Sequence, residues 1–182
     1  MGLRGEEVGK SGKNDHFLHR FPVPSHDREV FLFEGGVPMI RSFCGEYQCA
    51  ADTKGRLMIP SKMRELFPQG ESIILVRSLD RCINLYTEEK WRFFEEKIAL
   101  LPETESRDVR RFFYASMQDV EPDSQGRILL PVQLRAFAGI QKSVVVLGCG
   151  DHAEIWDEES YRDYTGENRT ASIEEILKRN GL

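Results

Sequence analysis

The pattern best suited to chemistry in this chain is a turn that occurs twice, as Asp52-Thr53-Lys54-Gly55-Arg56 and as Asp123-Ser124-Gln125-Gly126-Arg127. In each, the aspartate suits hydrogen bonds from backbone amides of the turn, and the glycine suits a positive φ. The arginine has two readings. It either pairs with a nearby acid, or it holds a planar guanidinium at the tip of a rigid hairpin, placed for bidentate contact with a phosphate or a guanine edge. Lys54 makes the first turn dibasic, whereas Gln125 leaves the second less cationic. Lys62 and Arg64, one helical turn beyond Pro60, either extend the same basic surface or are solubilising charges.

Catalytic arrangements are poorly supported. His152 is the sole histidine after residue 38, no serine sits in a G-x-S-x-G elbow, and no glycine-rich loop matches a phosphate-binding fingerprint. Cys149, between Gly148 and Gly150 and close to His152, superficially suggests a nucleophile with its base. Its place between two predicted strands reads instead as a turn. His16 and His19 lack the further ligands that zinc requires. Neither an enzyme nor a cofactor nor a metal is expected. Cys44, Cys49, Cys82 and Cys149 share no C-x-x-C spacing and read as buried thiols in apolar segments.

The elements that hold the two turns follow from an internal repeat. Asp52 to Pro60 recurs 71 positions later as Asp123 to Pro131. Met63-Arg64 then matches Leu134-Arg135, Ile73-Ile74-Leu75-Val76 matches Val144-Val145-Val146-Leu147, and after a one-residue gap Leu85-Tyr86-Thr87-Glu88-Glu89 matches Ile155-Trp156-Asp157-Glu158-Glu159. Each copy predicts a short strand, the turn, a second strand leaving through Pro60 or Pro131 into one or two helical turns, and another pair of strands. Thr87 and Asp157 look like N-caps, with acids behind them to suit the positive end of a helix. Trp91, Phe94, Ile98 and Leu101 then fall at helical spacing, Pro102 ends that helix, and a second is expected over 105–116 with Val109, Phe112 and Phe113. Trp91 and Trp156 read as core or interface residues. Asp108 and Arg111, at i,i+3 spacing, place Arg110-Arg111 on a solvated helix face. Residues 172–180, stopped by Gly181, predict a last helix.

The resulting organisation is an extension over 1–38, a first module over 42–92, a helical linker over 93–116, a second module over 117–161, and a tail over 162–182. The extension reads as poorly ordered, with the folded part starting at Met39. Modules of this size bury too little surface to stand alone, so they must pack on each other, on other chains, or both. Net charge is −5, but residues 41–92 carry nine Lys or Arg against seven Asp or Glu, and residues 117–161 three against eight. A basic face therefore belongs to the first half. The longest apolar runs are strand-length and no secretory signal is evident, so a cytoplasmic, membrane-free protein is expected.

The doubled D-x-x-G-R with its apolar-Pro exit, together with Glu154-Ile155-Trp156, resembles the MraZ family of the SpoVT-AbrB group over roughly Met39 to Tyr161. The resemblance implies an α+β fold, a double-split swapped-hairpin β-barrel made of two tandem SpoVT-AbrB-like modules with a helical hairpin between them. It also implies a nucleoid-associated transcriptional repressor of its own division and cell-wall gene cluster, binding short direct repeats in promoter DNA as a ring-like homo-oligomer. By position the DNA-contacting arginine falls on Arg56 and its repeat equivalent on Arg127. The extension and the acidic second module depart from the family pattern. A toxin-binding or other protein-interaction module of the same group is the alternative.

Overall fold

The computed structural model describes residues 42–68, 70–166 and 168–181. They belong to one compact unit, Ile40–Leu182; the other unit, Met1–Met39, and with it the expected 1–38 extension, lies outside the described residues. Along the chain β1 (Glu46–Ala50) passes through the first turn into β2 (Arg56–Met58), then α1 (Ser61–Arg64) and the hairpin of β3 (Ile73–Arg77) and β4 (Ile83–Thr87). Helices α2 (Glu88–Ala99) and α3 (Glu103–Tyr114) follow. The second copy runs β5 (Gln118–Val120), β6 (Arg127–Leu129), α4 (Val132–Ala138), β7 (Ser143–Gly148), β8 (Ala153–Asp157) and α5 (Glu158–Tyr164), before the terminal α6 (Asn168–Arg179).

Local chemistry sets the helix boundaries. The Thr87 hydroxyl accepts from the Lys90 amide at 3.2 Å, and the Asp157 carboxylate accepts from the Glu159 and Ser160 amides at 3.2 and 3.3 Å. Both caps satisfy amides that have no partner within the helix. Trp91 and Ile98 bury the inner face of α2, but Leu101 lies beyond its last turn and is exposed, so the apolar face ends one turn earlier than its spacing suggested. Pro102 opens α3 two residues before the expected start, since proline tolerates a first helical turn where its missing N–H costs nothing. The last helix likewise begins earlier than expected, at Asn168.

The two copies do not fold as separate sheets. Strand order in the larger sheet is β1-β7-β8-β4-β3-β5, so β1 of the first copy pairs with β7 of the second, and β5 of the second with β3 of the first. The order is unchanged when the copies are exchanged, with Asn84 opposite Glu154 at the centre of the β4–β8 pairing. β2 and β6 form a two-stranded ribbon of their own. The expected closed barrel is not found among the described residues. Each ribbon strand is three residues long and runs into Pro60 or Pro131, which have no N–H with which to extend a ladder.

Both faces of the larger sheet are covered, as the unbroken apolar runs at 73–76 and 144–147 require. One face packs Leu75, Leu85, Val146 and Ile155 against Leu57, Ile128, Ile59 and Leu130 from the ribbon and its exits. The other buries Val76, Tyr86 and Trp91 on one side, and Cys82, Val145 and Trp156 on the other. The cysteines divide, contrary to the uniform burial expected: Cys82 is buried and Cys49 half-buried, but Cys44 and Cys149 are exposed, both lying between the β1–β7 ladder and the isolated Phe43–Gly150 bridge.

Candidate functional site

Each repeated turn is built by its aspartate. Asp52 accepts from the amides of Lys54 and Arg56, both at 2.9 Å, and Asp123 from those of Gln125 and Arg127 at 2.9 and 3.0 Å. Gly55 and Gly126 take φ of +80° and +78°, the left-handed conformation that other residues adopt at a cost. Each arginine also bonds its own aspartate. Arg56 does so through Nε at 2.7 Å, and Arg127 through both Nε and Nη2 at 2.8 and 2.7 Å. The acid-pairing reading is therefore real, but it anchors the guanidinium without exhausting its five donors, and the side chains remain 33% and 27% exposed.

The arginine bonds hold both carboxylates in their charged form. The side-chain and backbone hydrogen bonds of Arg127 bring Asp123 down to about 2 from the ordinary 3.8, and the Arg56 backbone hydrogen bond leads the lowering at Asp52. Because the folded value lies below the unfolded one, this stabilisation is complete above about pH 4 and is lost as pH falls towards 2. A carboxyl-carbon NMR titration should place Asp123 near 2 in the native protein and move it back towards 3.8 in Arg127→Ala. A native midpoint near 3.8 would refute this account of the turn.

The ribbon sets where the turns point. Arg56 pairs with Leu129, Leu57 with Ile128, and Met58 with Arg127. Directly opposed residues share a face, so Leu57 and Ile128 point to the core, and Arg56, Met58, Arg127 and Leu129 form the outer face. Because the strands are antiparallel, the two turns lie at opposite ends of the ribbon. Each is gripped by the other copy: the Leu130 amide donates to the Gly55 carbonyl at 2.9 Å, and the Ile59 amide to that of Gly126 at 3.3 Å.

The same crossing redistributes the basic residues. The Arg64 guanidinium lies against Gly126 and donates to the Gln125 carbonyl at 3.4 Å, so it serves the second turn and not the first, whose surface it was expected to extend. Arg135, not singled out from sequence, lies against Gly55 in the same way, 2.6 Å from where a Cβ there would stand. Its signal was present as the repeat partner of Arg64, but only the crossed connection shows which turn it reaches. The first turn thus gathers Lys54, Arg56 and Arg135, and the second Arg127 and Arg64, while Lys62 stays on the exposed side of α1. The positive charge beside each turn is therefore drawn from both copies.

A family model described as "MraZ protein, putative antitoxin-like" matches the chain twice, over residues 42–112 and 113–181. The chain belongs to the MraZ family. It is 45% identical over 145 residues to the transcriptional regulator MraZ of Acetivibrio thermocellus, covering 77% of this chain and 99% of that protein. Its identity to the MraZ regulators of Syntrophomonas wolfei and Heliobacterium modesticaldum is 43% and 41% over 139 residues, covering 75% of this chain and 94% and 95% of theirs. The two MraZ matches divide the chain within the last turn of α3, close to the boundary of the internal repeat.

The nucleophile suggested by Cys149 is not supported by its surroundings. Partial desolvation of the sulfur, reinforced by the Glu154 charge, raises the thiol above its ordinary value, the opposite of what activates a nucleophile. As the sequence suggested, residues 149–152 form the turn between β7 and β8, closed by a Cys149 amide bond to the His152 carbonyl at 2.9 Å. No helix among the described residues is long and apolar enough to cross a membrane.

Proposed function

We propose that this MraZ protein is a DNA-binding transcriptional regulator that represses its own division and cell-wall gene cluster from the nucleoid. The observation that carries the reading is the β2–β6 ribbon, whose solvent face presents Arg56 and Arg127 with a rigid turn at each end. A two-stranded antiparallel ribbon fits the major groove of B-DNA, and guanidinium groups there read guanine edges or clamp phosphates. The names of the relatives, transcriptional regulator MraZ, support the regulatory part of this reading. Lys54, Arg135 and Arg64 supply further positive charge beside the ribbon, and Lys62 is a more distant contributor.

Self-association into a ring, with one ribbon per direct repeat, belongs to the same proposal. Ile173, Ile176 and Leu177 form an exposed i, i+3, i+4 stripe on α6, a face that a second copy would cover. Bridging several repeats multiplies modest single-site affinities. A gel-shift series with the DNA upstream of the gene cluster is the test. Retardation that outlasts an excess of unrelated DNA supports the reading, and equal competition by unrelated DNA overturns it.

A further inference from the structure

The turn between β7 and β8 brings together three groups with no part in the ribbon. Ligand atoms of Cys149, His152 and Glu154 all lie within 4.8 Å of one another. His152 Nε2 stands 3.6 Å from Glu154 Oε1, long for a hydrogen bond but near the roughly 3.3 Å separating two ligands at a tetrahedral metal with bonds of about 2.0–2.1 Å. His152 Nδ1 bonds Asp151 at 2.7 Å, and Trp156 Nε1 donates to the second Glu154 oxygen at 2.8 Å. Tyr86 stacks on the imidazole at 5.1 Å between ring centroids and 23° between planes. The ring is thus fixed with Nε2 towards Glu154, and the carboxylate with Oε1 towards His152.

We propose that Cys149 Sγ, His152 Nε2 and Glu154 Oε1 form a binding site for a zinc-class divalent cation. Thiolate, imidazole and carboxylate together suit Zn2+ or Co2+ better than the hard ions Mg2+ and Ca2+, which take oxygen ligands. A carboxylate on the far nitrogen of a ligand histidine is the usual outer support of such sites, and here Asp151 provides it. On binding, the Cys149 proton passes to solvent and the cation offsets the charge of Glu154, leaving a fourth position for water. The fold does not impose this set. The corresponding turn of the first hairpin, closed by the Ser78 amide bond to the Cys82 carbonyl, carries Ser78, Cys82 and Asn84 in the equivalent places.

Titration of the full-length, reduced and metal-stripped protein with Co2+ tests the site. The expected result is about one equivalent per chain, with the intense near-ultraviolet thiolate-to-cobalt band and visible bands of tetrahedral intensity, all displaced by Zn2+. Cys149→Ser should abolish the near-ultraviolet band. Asp151→Asn should weaken binding roughly ten- to a hundredfold, with the circular dichroism of both variants unchanged. Cys44→Ser and the pair His16→Gln and His19→Gln should leave the spectrum intact. Absence of the thiolate band in the native protein, or its survival in Cys149→Ser, overturns the proposal.

Discussion

Arg56→Ala is expected to lose about 1–3 kcal/mol of affinity per DNA site, roughly a 5- to 150-fold weakening, while keeping fold and assembly. The loss follows from removal of a guanidinium that Asp52 already holds in place, so little side-chain freedom remains to be frozen on binding. The fold survives because Asp52 keeps its bonds to the Lys54 and Arg56 amides, and a half-exposed ion pair contributes only about 0–1 kcal/mol. Arg127→Ala should be milder, as its side chain is committed to Asp123 through two nitrogens and its turn has Gln125 in place of a lysine. Arg135→Ala should resemble the Arg56 variant and Arg64→Ala the Arg127 variant, because the guanidinium groups cross between copies. Anisotropy titrations on a single-repeat duplex check the order. Equal affinity in Arg56→Ala and the native protein would contradict it.

Leu130→Ala should destabilise the protein by about 2–5 kcal/mol, a loss of roughly 4–20 degrees in Tm. Leu130 is fully buried in the core shared by the ribbon and the larger sheet, and its amide is the bond that holds Gly55. Truncation leaves a cavity under the first turn, and neighbours drawn from both copies cannot all collapse into it. Thermal denaturation by circular dichroism measures the effect. A change of only a degree or two would mean that the ribbon is not seated on the main core.

The features legible in the sequence were those decided by short-range chemistry. The aspartate and glycine of each turn, the Thr87 and Asp157 caps and the Trp91 to Ile98 helical face each depend on residues within a few positions, and the sequence pattern identified all of them. Strand partners were not legible in the same way. A duplicated pattern is as compatible with pairing within a copy as between copies, so nothing local shows that β1 joins β7 or that β5 joins β3. The destination of Arg64, the role of Arg135 and the separation of ribbon from sheet all follow from that crossing. Cys149 and His152 are close in sequence, but Glu154 joins them only through a four-residue turn and the alternation of a strand, whose register the local pattern does not specify.

The most direct test of the DNA-binding account is the salt dependence of affinity for upstream repeat DNA, measured for the native protein and for Arg56→Ala at matched oligomer size. The account predicts a linear fall of log affinity with log salt, and in Arg56→Ala a weaker affinity with a slope shallower by roughly one unit for each phosphate that the missing guanidinium no longer neutralises. Native affinity and native slope in Arg56→Ala, with the defect confined to Arg127→Ala, would contradict it.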